Sequence, residues 1–285
     1  RDLHSFPTRR SSDLGLGATP LFAASVDGLE IHYAKWTSTN AAAAEPAPTL
    51  VFVHGWTCDS SSWRGQAGPL SGRGYQVVTL DLPGHGDTDS PPDGKLSMNL
   101  FARAVEAVRA EVGAGRVVLI GHSMGAPVIR EYAHLYPDHV AALVAVDGPL
   151  DLRAFPATVP EGFPVVTGPE GLKARETMIR SMFIPETPAA LQERILEMML
   201  AAPEATAAGA LAAVFDPAIR WTDVIDAPAL SIYAGTAQVP DAATVKELFP
   251  NYEATQFVGT GHFLMMEKPD EFNRVVVEFL DKIEL

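Results

Sequence analysis

The chain has 285 residues, 47% hydrophobic and 20% charged, which is the balance of a globular protein with a large core and not of a disordered or fibrous one. Its formal net charge of −14 argues against polyanionic partners, because nucleic-acid binding relies on clustered Lys and Arg against phosphates. The single cysteine, Cys58, excludes an intrachain disulfide and a Cys-ligated metal centre, and no apolar run reaches the ~20 residues that a membrane-spanning helix requires.

Residues 1–14 (RDLHSFPTRRSSDL) lack apolar periodicity, are similar to a translated sequencing-adapter read, and are set aside as a non-native segment. Residues 15–25 read either as the tail of a signal peptide or as a flexible lead-in, which leaves both the bacterial cytoplasm and export open. A strand or hairpin around Asp27-Gly28 is expected at 26–36, since Asp-Gly readily adopts the positive φ of tight turns. The Ala-, Thr- and Pro-rich stretch 37–48 reads as a surface loop.

Short β-rich apolar runs follow at 50–53, 76–80, 117–120, 142–146 and 230–233; each predicts a strand buried on both faces. Helical patterns at 98–112 and 126–135 alternate with them, which predicts a parallel sheet with right-handed crossovers. Residues 150–221 break the alternation with helices only, among them 171–183 and 189–200. That block reads as a helical cap inserted into a core made of 15–149 and 222–285. A closing helix is expected at 275–283.

Three elements carry chemistry. The run at 117–120 leads directly into Gly121-His122-Ser123-Met124-Gly125 and then a helix. A strand-to-helix turn this tight needs glycines at its flanks, holds the serine strained with its hydroxyl above the sheet, and turns the Met124 amide and the helix N-terminus toward developing negative charge. The second element, Val53-His54-Gly55-Trp56, ends the neighbouring strand and offers the Trp56 amide as a second oxyanion donor, with the indole either lining an acyl pocket or packing in the core. In the third, Gly259-Thr260-Gly261-His262-Phe263, His262 sits on a glycine-flanked loop late in the chain, free to serve as the base for Ser123.

These motifs, together with Asp81-Leu82-Pro83-Gly84-His85-Gly86, resemble the α/β-hydrolase superfamily, and most nearly its bacterial serine esterases and cofactor-free haloperoxidase-like group. The resemblance implies an α/β-hydrolase fold with an eight-stranded, mostly parallel sheet, a Ser-His-acid triad, oxyanion donors at Trp56 and Met124, and an inserted helical cap. No metal or organic cofactor is expected, since no His-Glu-x-x-His motif or phosphate-cradling glycine loop appears. Serine at the nucleophile position separates the chain from epoxide hydrolases and dehalogenases, which place Asp there.

The acid departs from the usual pattern. In most relatives it stands three residues past a glycine after the strand before the catalytic histidine, which here is Gln238; an amide cannot carry the charge that stabilises imidazolium. Asp147, at the end of the run 142–146, is favoured over Asp241, because strand ends are more rigid than loops. Cleavage of carboxylic esters with small to medium apolar acyl or aryl groups is the expectation, with Met178, Met182, Phe183, Met198, Met199 and Phe215 giving the cap an apolar surface. C–C bond hydrolysis, lactonase or perhydrolase activity, and a non-enzymatic ligand receptor on the same fold are the alternatives.

Overall fold

The computed structural model describes residues 21–37, 48–156 and 158–283; the segment 1–14, residues 15–20 and most of the loop expected at 37–48 lie outside them. The strands are β1 (Leu21–Val26), β2 (Leu29–Trp36), β3 (Thr49–Val53), β4 (Gln76–Leu80), β5 (Val117–His122), β6 (Val140–Val146), β7 (Ala229–Ala234) and β8 (Tyr252–Phe257). They form one eight-stranded sheet in the order β1-β2-β4-β3-β5-β6-β7-β8. The β1–β2 and β2–β4 pairs are antiparallel, and all pairs from β4 through β8 are parallel. The hairpin β1–β2 turns at Asp27 and Gly28, both at positive φ.

Strands β3, β5, β6 and β7 are buried along their whole length, which is why their sequences are continuous apolar runs and do not alternate. Helices cover both faces: α1 (Arg64–Gly72) between β3 and β4, α2 (Met98–Glu111) between β4 and β5, and α3 (Gly125–Leu135) between β5 and β6. Helices α4 (Gly171–Arg180), α5 (Ala189–Ala201) and α6 (Glu204–Val214) occupy the interval between β6 and β7. The last three are α7 (Ala242–Lys246), α8 (Leu264–Glu267) and α9 (Pro269–Lys282).

Two helices differ from the periodicity. Helix α1 contains Pro69 and four glycine or serine positions after it begins, so its sequence carries breaker signals although tertiary packing keeps it helical. Helix α9 starts at Pro269, not at 275, because proline suits the first helical turn, where its missing N–H is no loss. Among the described residues no single helix is long and apolar enough to cross a membrane; α5 and α6 pass that test only as a pair bent by 93°.

This order positions the site. Strand β4 flanks β3 on one side and β5 flanks it on the other, so the chains leaving the carboxyl ends of β3 and β5 diverge and open a crevice between them.

Candidate active site

Ser123 stands directly after β5 with φ at +51°, a left-handed conformation that costs a non-glycine residue free energy and persists only when its surroundings enforce it. Three glycines do so. A Cβ on Gly121 would lie 2.2 Å from the carbonyl oxygen of Gly125, one on Gly125 2.4 Å from that of Val53, and one on Gly148 2.5 Å from that of Ser123 itself. The turn therefore packs backbone on backbone from β3, β5 and the end of β6. The Ser123 N–H donates to Val146 at 2.9 Å, tying the turn to β6.

Asp147 continues β6 by one residue, again at positive φ, +44°, with its N–H donating to Ile232 at 2.8 Å. Its carboxylate is used twice: Oδ1 accepts from Ala234 N–H at 2.9 Å and Oδ2 from His262 Nδ1 at 2.5 Å. Burial pushes this carboxyl up, but the hydrogen bond and charge of His262 and the Ala234 amide outweigh it and hold it below the usual carboxylate range. Because Nδ1 donates to Asp147, Nε2 is the free acceptor of the neutral His262 ring. Asp241 is elsewhere occupied, capping α7 by accepting from Thr244 N–H, and Gln238 is exposed. The Gln256 side chain instead pins the loop after β7, donating to Ala234 and Ala237 carbonyls at 3.0 Å each.

Gly55 and Trp56 follow β3. A Cβ on Gly55 would stand 3.1 Å from the Ser123 Cβ, so glycine lets this loop lie against the serine. His54 braces the loop: Leu82 N–H donates to its Nε2 at 3.0 Å, which leaves Nδ1–H to donate to the Gly55 carbonyl at 2.9 Å. Burial pushes its pKa down to about 4, so the ring stays neutral in this role. Among the described residues no group accepts from the backbone amides of Trp56 or Met124, although both residues are buried. The indole Nε1–H of Trp56 donates to the Ala207 carbonyl of α6 at 2.8 Å.

Ser123 and His262 line one small cleft, together with Gly55, Trp56, Cys58, His122, Met182, Met199 and Phe263. The enclosed space is close to that of a single water molecule, so it admits only a small group. Its walls are mostly apolar, with His122, Ser123 and His262 as the polar members. Of the apolar residues expected on the cap, only Met182 and Met199 reach it, while Phe215 stacks on Phe155 with centroids 5.4 Å apart. The Cys58 thiol is buried and its pKa pushed well up, chiefly by burial.

A family model for the alpha/beta hydrolase fold matches residues 48–269. The chain belongs to the alpha/beta hydrolase family. A curated relative from Haemophilus influenzae, a putative esterase/lipase, is 28% identical over 250 residues, covering 82% of this chain and 84% of the relative. A solved putative aryl esterase from Burkholderia cenocepacia superposes with a TM-score of 0.76 at 22% identity, over 93% of this chain and 99% of that one. A putative epoxide hydrolase from Pseudomonas aeruginosa superposes with a TM-score of 0.74 at 19% identity, over 94% and 97%. Within this alpha/beta hydrolase, sequence reasoning missed Cys58 as a cleft residue and His122 as a partner of the His262 loop; a bare cysteine and the variable position of a glycine-flanked motif carry no signal for either.

Proposed function

We propose that the chain is a serine hydrolase acting on carboxylic esters of small to medium apolar acyl or aryl groups. The observation that carries this reading is the Asp147–His262 hydrogen bond of 2.5 Å beside Ser123 in one apolar cleft. His262 Nε2 takes the Ser123 proton as the serine oxygen attacks the ester carbonyl, while Asp147 fixes the tautomer and stabilises the imidazolium that forms. The amides of Trp56 and Met124 receive the oxyanion, which is why unpaired donors at buried positions fit this reading. The alcohol leaves with the His262 proton, and water activated by the same ring then hydrolyses the acyl-enzyme.

The narrow cleft and its lining by Trp56, Cys58, Met182, Met199 and Phe263 favour an uncharged, compact acyl or aryl group. Residues 150–221, with α4 to α6, serve as the cap over it, and two of their side chains form its roof. The reaction calls on no metal or organic cofactor. A panel of p-nitrophenyl esters of increasing chain length, run beside Ser123→Ala, tests the proposal. Turnover highest for short acyl groups and lost in Ser123→Ala is expected, together with stoichiometric labelling by a fluorophosphonate. Turnover that survives Ser123→Ala, or an absence of labelling in the parent, would refute it.

A further inference from the structure

His122 lies between Gly121 and the serine, so one peptide bond joins its placement to that of Ser123. Its side chain is turned away from solvent, 1% exposed, with Nε2 2.9 Å from the backbone carbonyl oxygen of His262. A carbonyl only accepts, so Nε2 carries the proton and donates. The ring packs beside His262 with centroids 4.7 Å apart, beside Phe263 at 5.3 Å and edge-on to Trp63 at 6.4 Å. Gly55 closes the remaining side, since a Cβ there would stand 3.0 Å from Nδ1.

The His262 backbone has a second tie, its N–H to the Met182 carbonyl at 3.1 Å, but that partner belongs to the segment between β6 and β7. The preceding Gly261 N–H goes to Glu267 on α8. His122 is thus the bond that runs from the serine turn itself to the His262 backbone. Asp147 fixes the imidazole at Nδ1 and His122 fixes the chain from which that imidazole hangs. Two fixed points set where Nε2 of His262 stands.

We propose that His122 is a positioning residue for the reaction, its Nε2–H holding the His262 carbonyl so that the imidazole is registered against Ser123. The inference rests on the serine-hydrolase reading above. Burial first, and the neighbouring His262 second, push the pKa of His122 down to about 3, so the ring donates as a neutral group across the neutral pH range. Truncating the donor leaves a buried carbonyl without its partner and frees the loop to shift, and displacements of about 1 Å at a reacting group can cost about 100-fold in rate.

The test compares His122→Phe, which keeps an aromatic ring without the donor, with His122→Gln, which keeps an N–H at similar reach. On p-nitrophenyl acetate, His122→Phe should lower kcat by about 10- to 100-fold with KM within about 2-fold, and His122→Gln should return kcat to within about 3-fold of the parent. A merely space-filling role predicts lower thermal stability with kcat per titrated active site intact; that result, or a Gln variant no better than Phe, overturns the proposal. If His122→Phe does not fold, His122→Gln decides alone, with about 3-fold in kcat as the dividing line. Ser123→Ala is run in parallel: turnover that survives it sinks the serine-hydrolase reading along with this one, whereas its loss beside a fully active His122→Phe sinks only the positioning role.

Discussion

Oδ2 of Asp147 lies 2.5 Å from Nδ1 of His262, across 115 residues of sequence. The other candidate carboxylate, Asp241, accepts from the backbone and hydroxyl of Thr244, each at 3.1 Å. The serine-hydrolase reading therefore assigns the two residues different consequences. Asp147→Asn cannot hold the imidazole tautomer or stabilise its cation and should lower kcat by about 10³- to 10⁴-fold. Asp241→Asn keeps a side chain suited to capping and should leave kcat within about 2-fold. Initial rates on p-nitrophenyl acetate for the two folded variants check this, and comparable losses would contradict the assignment.

Gly148 is held to glycine by contact alone. A Cβ there would stand 2.5 Å from the Ser123 carbonyl oxygen and 2.8 Å from the Ala126 Cβ, and neither neighbour is a flexible side-chain end that could swing aside. Gly148→Ala should cost about 1–3 kcal/mol in strain and, by moving the serine turn, lower kcat by about 100-fold. Gly72→Ala is the contrasting case. It lies in the last turn of α1, its Cβ would meet nothing within 4 Å, and alanine there should stabilise by about 0.5 kcal/mol. Thermal melts of the two variants should therefore shift in opposite directions; a neutral Gly148→Ala would mean that the turn relaxes more easily than its contacts imply.

The parts of this fold that were legible in sequence are those with one dominant physical cause. Strands β3, β5, β6 and β7 are buried on both faces and so announce themselves as apolar runs. The serine turn needs Gly121 and Gly125 for backbone approach, so its spacing is fixed by sterics. Asp147 could be singled out because it ends a strand, but its bond to His262 depends on β6, β7 and the loop after β8 assembling together. What was not legible arises from tertiary contact. Helix α1 forms around Pro69, and Met182, just past α4, and Met199 of α5 line the cleft while Met178 and Met198 do not.

Trp56 joins the serine side of the cleft to α6, because its indole Nε1–H donates to the Ala207 carbonyl while its backbone amide stays with the β3 loop. A second tie runs beside it, from the Thr206 hydroxyl to the Gly84 carbonyl at 2.9 Å. Trp56→Phe keeps the backbone amide and most of the apolar area but removes the indole donor. Stability should fall by about 0.5–1.5 kcal/mol, and amide exchange should quicken across Glu204–Val214 more than in α2 or α3. Uniform exchange across all three helices would show that Trp56 does not tether α6.

Three buried histidines give the chain a marked acid sensitivity. Burial first lowers the pKa of His54 to about 4 and those of His85 and His122 to about 3. In the unfolded chain each protonates near its ordinary value of about 6.5. Their contribution to stability is therefore fully present above about pH 6.5 and is lost as pH falls below it, because only the unfolded state takes up those protons. Asp81 works the other way. Burial first, and Asp59 second, raise its carboxyl to about 7, so the folded form gains its proton before the unfolded one, which waits until about pH 4. The three histidines outweigh Asp81 and the carboxyls of Glu131 and Glu267, which burial also raises, so unfolding takes up protons below about pH 6, and each net proton taken up tilts stability by about 1 kcal/mol per pH unit. Against a typical domain stability of about 5–15 kcal/mol, a fall of a few pH units is decisive. The urea midpoint should be nearly level from pH 8 to 7 and drop steeply below 6, and Asp81→Asn, which removes the opposing site, should steepen that drop. A midpoint that stays level down to pH 5 would mean that these rings take up protons inside the folded protein.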